Sequence, residues 1–159
     1  MSEVNGNAFS IETWMDIDPI TAGDWGSFNI AFFDPEDIGP NFYNNIAVGV
    51  QPGKGGNSRN NTTWALVETY LPGTTTTYKT ETFATKGFPG VGPTHLVWTI
   101  DPESQVMKVF INGRYENQVS MTLTFEQMGA LLDNFVCWLG CSRDYKGLPG
   151  KMDEFRLWK

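Results

Sequence analysis

The chain has few cysteines and only one histidine, which limits the chemistry that it can support. Its 159 residues include Cys137, Cys141 and His95, and no other residues of these two types. Four residues of an extended strand span about 13 Å. That distance exceeds the reach of a disulfide, so we expect two free, buried thiols. A zinc or redox site would need further ligands at a metal-binding spacing, which the sequence does not supply.

Basic residues and long apolar runs are also scarce. The chain carries 11 Lys and Arg residues against 18 Asp and Glu residues, for a net charge of -7. Nucleic acids and anionic membranes are bound mainly by clustered basic side chains, so neither is expected as a partner. No apolar run approaches the roughly 20 residues of a membrane helix, so no membrane insertion is expected.

The first residues lack the basic end and the apolar core of a secretion signal. We therefore expect either a module of a secreted protein or a protein that is made and assembled inside a cell. In both cases the expected location is extracellular or on a virion surface.

Aromatic and turn-forming residues are abundant. Aromatic side chains make up 14% of the chain, which also contains 17 Gly and 9 Pro. Aromatic residues favour strands, and Gly and Pro favour turns, so the composition predicts an all-β protein. The length suits one domain, residues 1–159, whose core needs no disulfides.

Alternating apolar residues predict most of the strands, and one segment predicts a helix. The expected helix is short and covers residues 124–133, where Phe125, Met128, Leu131 and Leu132 have helical spacing. The expected strands cover residues 8–18, 25–33, 45–51, 62–71, 78–85, 94–100, 105–111, 134–142 and 150–158. A further strand follows Asn112-Gly113, which is a strong hairpin signal.

The predicted hairpin near the middle of the chain has one buried face and one mixed face. Pairing across a turn at residues 101–104 places Leu96 and Trp98 beside Val109 and Met107, which gives a core face. The opposite face begins at His95 and is half exposed, as in a shallow binding groove.

The two ends of the chain are predicted to meet. Arg156 lies between the apolar residues Met152 and Trp158, which suggests a partly buried guanidinium that needs an acceptor. Glu12, in the equally apolar first strand, is the best candidate. We therefore predict that the first and last strands are neighbours in one sheet and that Glu12 and Arg156 form a structural ion pair.

Four segments together resemble a known family. They are FSIETW at residues 9–14, THLVWTID at 94–101 with VFING at 109–113, WLG at 138–140, and GKMDEFRL at 150–157. In this order and spacing they resemble the laminin-G-like, concanavalin-type jelly-roll domains. The resemblance implies a sandwich of two antiparallel sheets with the termini side by side. It also implies binding of glycans or proteins, often with a calcium ion at a rim.

Asp153 is the candidate calcium ligand. Alternation along the last strand places it on the same face as the core residues Phe155 and Leu157, near the rim of the sandwich. Calcium requires six to eight oxygen ligands, including loop carbonyls. The same carboxylate could instead accept hydrogen bonds from loop amides, and both interpretations stay open.

Sugar binding requires aromatic rings that face solvent, because a ring covers the apolar face of a pyranose while polar groups bind its hydroxyls. His95, on the mixed face, is a further candidate, either as a ligand contact or for a structural hydrogen bond. Each candidate ring could instead belong to the core. The candidates in or near loops and exposed strands are Trp25, Tyr43, Trp64, Tyr70, Tyr78 and Tyr145.

We predict a non-catalytic, lectin-like module that binds a glycan or a glycan-bearing surface. The alternative is a virion or cell-surface structural protein, such as a decoration or fibre domain, that contacts neighbouring subunits and forms oligomers. A glycoside hydrolase needs two carboxylates about 5 to 9 Å apart. Asp16 and Asp18 have a suitable spacing but lie at a strand end beside Pro19, so no catalytic residue is predicted.

Overall fold

The computed structural model describes residues 8–17, 28–35, 45–51, 62–70, 77–83, 92–121, 135–140 and 150–159. These residues form ten strands and no helix, which confirms the all-β prediction. None of them therefore belongs to a helix long and apolar enough to cross a bilayer. The helix predicted over residues 124–133 lies outside the described residues. The strands are β1 (Phe9–Ile17), β2 (Phe28–Pro35), β3 (Asn45–Gln51), β4 (Thr62–Tyr70), β5 (Thr77–Phe83), β6 (Thr94–Asp101), β7 (Val106–Ile111), β8 (Arg114–Ser120), β9 (Phe135–Leu139) and β10 (Gly150–Trp158).

The strands form two five-stranded antiparallel sheets. We call the sheet with the order β10-β1-β6-β7-β8 the terminal sheet, because it contains the first and last strands; the second sheet has the order β5-β4-β3-β2-β9. β1 lies between β10 and β6, so the first and last strands are neighbours, as predicted. Buried side chains from both sheets belong to the same core cluster, which confirms the β-sandwich.

Alternation in β1 places every second side chain in the core. Each buried aliphatic or aromatic side chain contributes about 1.5–3 kcal/mol relative to an exposed one. The Thr13 hydroxyl, which is also buried, donates to the Asp153 carbonyl oxygen at 2.9 Å. The buried apolar residues of β1 are Phe9, Ile11, Met15 and Ile17. The residues between them lie on the opposite face of the sheet, and they are Ser10, Glu12, Trp14 and Asp16.

The predicted core face of β6 and β7 is confirmed, but the register differs from the predicted one by two residues. Leu96 pairs with Ile111, and Trp98 pairs with Val109. All four side chains are buried. The turn has four residues, as predicted, but it lies one residue later in the chain, at 102–105, and it includes Gln105 in a left-handed conformation with a φ of 55°. A shift of two residues leaves every side chain on its predicted face.

The next turn, between β7 and β8, fixes the start of β6. Asn112 and Gly113 both have positive φ, 50° and 74°, as a two-residue type I′ hairpin requires. The Asn112 N–H donates to the His95 carbonyl oxygen at 2.8 Å, and the Asn112 side-chain oxygen accepts from the His95 N–H at 2.9 Å. The backbone of His95 is therefore held by the hairpin turn.

A β-bulge in β10 changes which residues face the core. Between the register partners of Glu12 and Trp14, β10 has one more residue than β1. The extra residue reverses the alternation of side chains, and Glu154 within the bulge has a left-handed φ of 50°. Asp153 is consequently exposed, so its predicted place on the core face was wrong. The residues of β10 that pack against the core are Met152, Phe155 and Leu157.

Cys137, in β9, carries a free thiol that packs against the core. Burial raises the pKa of this thiol to about 11, so it stays protonated and unreactive at neutral pH. The prediction of a free thiol is confirmed for Cys137, which is half-buried rather than fully buried. Cys141 lies outside the described residues.

Gly150→Ala is expected to destabilise the pairing of β1 with β10. A Cβ at Gly150 would overlap the Asp16 carbonyl oxygen and lie 2.8 Å from the Ile17 Cα, and the φ of 140° is strained for any other residue. Backbone overlap of this kind should lower the free energy of unfolding by about 2 kcal/mol or more. Thermal and urea unfolding measure the change.

Gly113→Ala is the matched control. Gly113 also has positive φ, but its Cβ would meet no atom within 4 Å. It should therefore lose only about 1 kcal/mol from backbone strain. Equal losses in the two variants would contradict the close approach of Gly150 to β1.

Candidate functional site

The outer face of the terminal sheet carries two exposed indole rings. Trp14 is 40% exposed and Trp158 is 52% exposed. Trp158 pairs with Ser10 in the register, four residues before Trp14 on β1, which corresponds to about 13 Å along the strand. Glu12 lies between these two positions. We call the surface formed by Glu12, Trp14, His95, Arg156 and Trp158 the Trp14–Trp158 face.

The Glu12 carboxylate is the polar centre of this face. His95 Nε2 lies 2.8 Å from Glu12 Oε1, and the Trp158 indole N–H donates to Glu12 Oε2. Arg156 Nη1 lies 3.5 Å from Oε1. Because an ionised carboxylate only accepts hydrogen bonds, His95 carries its hydrogen on Nε2.

These contacts favour the charged form of Glu12. The hydrogen bond from Trp158, then that from His95, lowers the pKa of Glu12 below its ordinary value of 4.5, and the charges of His95 and Arg156 act in the same direction. Partial burial opposes the shift but does not cancel it. Glu12 is therefore ionised at neutral pH.

Arg156 is partly buried, as its sequence context predicts. Its side chain is 40% exposed, and that of Glu12 is 19% exposed. The bulge places Glu154 within reach, and Arg156 Nη2 donates to Glu154 Oε2 at 2.7 Å. The structure brings Glu12 and Arg156 together, but exposed pairs stabilise proteins by only about 0–1 kcal/mol. A structural role for this pair remains a prediction.

Each indole borders a groove. Trp14 borders a groove of about 500 Å³, and its ring centroid lies 5.0 Å from that of His95 at a tilt of 31°. Trp158 borders a second groove of about 220 Å³. The Arg156 guanidinium carbon lies 6.0 Å from the Trp158 ring centroid, close enough for a cation–π contact. Other residues of the first groove include Asp16, Pro93, Lys151, Asp153 and Glu154; those of the second include Ser10, Thr99, Asp101 and Lys108.

Among the predicted ligand-binding residues, the structure brings only His95 into this face. Trp64 is 3% exposed, which contradicts its prediction as an accessible ring. Tyr70 and Tyr78 lie in β4 and β5, opposite Thr77 and Thr69, and their side chains are not among those that the structure describes. The predicted residues outside the described part of the chain are Trp25, Tyr43 and Tyr145.

The carboxylate of Asp153 accepts the backbone N–H of Glu154 at 2.8 Å; this amide belongs to β10 rather than to a loop, so both roles that the sequence left open remain predictions. Within the described ranges, no group of three His, Cys, Asp or Glu side chains is placed to hold a metal ion. Calcium needs six to eight oxygens, more than these residues bring together. Calcium binding at Asp153 therefore remains a prediction, and identical melting curves with and without chelator would contradict it.

Sequence reasoning did not select Trp14 or Trp158 as ligand contacts. The signal for Trp14 was present, because it alternates with Thr13 and Met15 in β1 and so shares a face with Glu12 and Asp16. Trp158 gave no such signal, since its exposure depends on where β10 lies relative to β1.

Glu12→Gln should lower stability at neutral pH but not in acid. Because the pKa of Glu12 is lowered in the folded protein, the stabilisation by its charge is full above its ordinary pKa. It is lost as the pH falls through the lowered value. We expect a loss of about 1 kcal/mol near neutral pH, to be measured by urea unfolding across the pH range.

Glu103→Gln is the control, because Glu103 is exposed in the turn between β6 and β7. It should change stability little at any pH. If Glu12→Gln lowered the free energy of unfolding by the same amount in acid as at neutral pH, stabilisation by an ionised Glu12 would be contradicted.

No protein-family model matches the chain, and no curated protein matches it. Solved structures do. One is domain 4 of AbnA, a GH43 extracellular arabinanase from Geobacillus stearothermophilus, in complex with arabinotriose, with a TM-score of 0.55 and 20% identity over 96% of this chain. This chain spans 61% of that one.

A second similar structure is the CBM40 of the Ruminococcus gnavus IT-sialidase bound to α2,3 sialyllactose. It has a TM-score of 0.58 and 11% identity, and the match covers 96% of this chain and 74% of that chain. At these identities the similarities show a shared β-sandwich fold. They do not identify the chain as a laminin-G-like domain.

Proposed function

We propose that this chain is a non-catalytic glycan-binding module and that the Trp14–Trp158 face is its binding surface. The observation that carries the proposal is the presence of two exposed indoles on one side of a rigid sheet, on either side of a hydrogen-bonded polar cluster. Large exposed aromatic side chains at a polar surface are characteristic of binding sites.

The chemistry of this face suits a sugar. An indole covers the apolar face of a pyranose ring, and neighbouring polar groups bind its hydroxyls. Arg156 supplies N–H donors beside the Trp158 ring, and the exposed carboxylates of Asp153 and Glu154 supply acceptors. Charge-assisted hydrogen bonds are stronger than neutral ones, so a few such contacts orient a ligand on the rings.

The site is held in place before any ligand binds. Glu12 binds the Trp158 indole N–H directly, and it binds His95, whose ring lies against Trp14. A ring that is already fixed loses less conformational entropy on binding. The Glu12 carboxylate on β1 therefore restrains both indole rings.

The shape favours an oligosaccharide over a single sugar. The two grooves lie at opposite ends of the face, one beside Trp14 and one beside Trp158. The corresponding backbone positions are separated by about 13 Å along β1. A chain of sugars that runs along β1 and β10 would contact both rings.

The state of Glu12 argues against catalysis at this face. A glycosidase needs a carboxyl group that carries a proton near neutral pH and a second carboxylate across a cleft. Glu12 has a lowered pKa and is bonded to Trp158 and His95. It therefore has no proton to donate under these conditions.

The similar structures support the proposal by analogy only. One contains arabinotriose and the other α2,3 sialyllactose, so this type of sandwich accommodates sugars in both proteins. An extracellular location follows if this chain meets its glycans in the same setting.

The alternative function, contact with neighbouring subunits of a virion or cell surface, is distinguished by mass in solution. A glycan-binding module of this kind should be monomeric and should be stabilised by its sugar. A large assembly in light scattering would favour the alternative.

Trp14→Ala and Trp158→Ala should each weaken glycan binding about tenfold or more, as expected for a central aromatic contact. Binding is measured on an array of polysaccharides that includes arabinan, galactan and polygalacturonan, and then by calorimetry with the best ligand. Both side chains are exposed, so Trp14→Ala should change the melting temperature little, whereas Trp158→Ala should also lose the stability contributed by its hydrogen bond to Glu12.

Tyr115→Ala is the matched control. Tyr115 is 53% exposed and packs edge-on against Phe110, with 5.9 Å between the ring centroids. It lies on β8, at the opposite edge of the terminal sheet from β10. Its loss should leave affinity unchanged. Full binding by both Trp variants would place the site elsewhere.

A further inference from the structure

The bulge in β10 leaves two consecutive carboxylates, those of Asp153 and Glu154, on the Trp14–Trp158 face. Glu154 holds a left-handed φ of 50°, a conformation that is uncommon for residues other than glycine. The bulge turns Asp153 outward, opposite Trp14 in the register. Without the extra residue, Asp153 would face the core. A local feature of the backbone therefore sets the charge beside the aromatic ring.

The groove beside Trp14 is consequently acidic. Three carboxylates line it, those of Asp16, Asp153 and Glu154, together with one ammonium group, that of Lys151. Lys151 lies opposite Asp16 in the register of β1 and β10. Cross-strand neighbours of opposite charge compensate each other, so the groove keeps an excess of negative charge.

The guanidinium next to this groove offsets that excess only in part. Arg156 donates to Glu154 at 2.7 Å and lies 3.5 Å from Glu12, so two carboxylates share its single positive charge. A sugar carboxylate would have to displace one of them to bind Arg156. Hydroxyl groups need no such displacement, because ionised carboxylates accept their hydrogens.

The groove at the opposite end of the face is not acidic. Two ammonium groups, those of Lys108 and Lys159, border the groove beside Trp158, together with one carboxylate, that of Asp101. The pKa of Asp101 is lowered, first by hydrogen bonds from Ser104 and also by the charge of Lys108. The ionised Asp101 thus offsets one of these two ammonium groups, so repulsion of a sugar carboxylate is expected at the acidic groove beside Trp14.

From this arrangement we infer that the face selects uncharged glycans and discriminates against those that carry carboxylates, such as uronic or sialic acids. The inference rests on the proposed function and adds the class of ligand to it. A sugar carboxylate over Trp14 would lie within the screening length of about 8 Å at physiological salt. It would be repelled there, whereas a neutral sugar of the same shape would bind.

The test compares ligands that differ only in charge or by one charged sugar. The pairs are methyl-esterified and de-esterified homogalacturonan, and lactose and 3′-sialyllactose, on an array with a set of other neutral polysaccharides. A chelator is present throughout, so that calcium at Asp153 cannot mask its charge. We expect the neutral member to bind about threefold to tenfold more tightly. The difference should shrink at high salt.

Asp153→Asn separates charge from structure. Asparagine keeps the side-chain oxygen that accepts the Glu154 N–H, and asparagine also tolerates bulge and turn conformations. This variant should reduce the ratio of neutral to acidic affinity about twofold to threefold, and it is this ratio, rather than the affinity for the neutral ligand alone, that is compared with the parent protein. Glu103→Gln removes one charge far from the groove and should leave the discrimination unchanged.

Each outcome decides between the hypotheses. Equal or tighter binding of the acidic member overturns the charge selection and leaves the glycan-binding function standing. The same conclusion follows if Asp153→Asn and Glu103→Gln have equal effects. Absence of binding to any glycan on the array overturns the proposed function and, with it, the inference about the class of ligand.

Discussion

The pairing of β1 with β10 is the constraint on which the described site depends. β1 is hydrogen-bonded to β10 on one side and to β6 on the other, so three strands that are distant in sequence share one surface. Glu12 and Trp14 come from β1, His95 from β6, and Arg156 and Trp158 from β10. The loss of chain entropy on bringing these strands together is recovered by the buried face of the same strands.

One carboxylate then organises the exposed side of those strands. Glu12 accepts hydrogen bonds from Trp158 and His95, and these bonds keep it ionised at neutral pH. The same contacts restrain both indoles and leave no proton for acid catalysis. The restraint of the two rings and the ionised state of Glu12 thus have a common physical cause.

The bulge in β10 sets the character of the surface. Its left-handed Glu154 costs conformational energy, but it exposes Asp153 and gives Arg156 a second carboxylate partner. Charge beside Trp14 is therefore decided by the backbone of a neighbouring strand. The charge of this surface and the packing of the core are linked here, since any change that removed the bulge would also move Met152, Phe155 and Leu157 relative to the core.

The sequence by itself determined the features that depend on local periodicity. Alternation identified the strands and the buried face of β6 and β7, and Asn112-Gly113 identified the hairpin, because side-chain direction and turn conformation are set by neighbouring residues. It also brought together Glu12 and Arg156. Only the tertiary structure decided the exposure of Trp158, the burial of Trp64 and the face of the sheet on which Asp153 lies. These depend on sheet packing and on one inserted bulge residue, and a single extra residue reverses a period-two pattern without altering the composition of the strand.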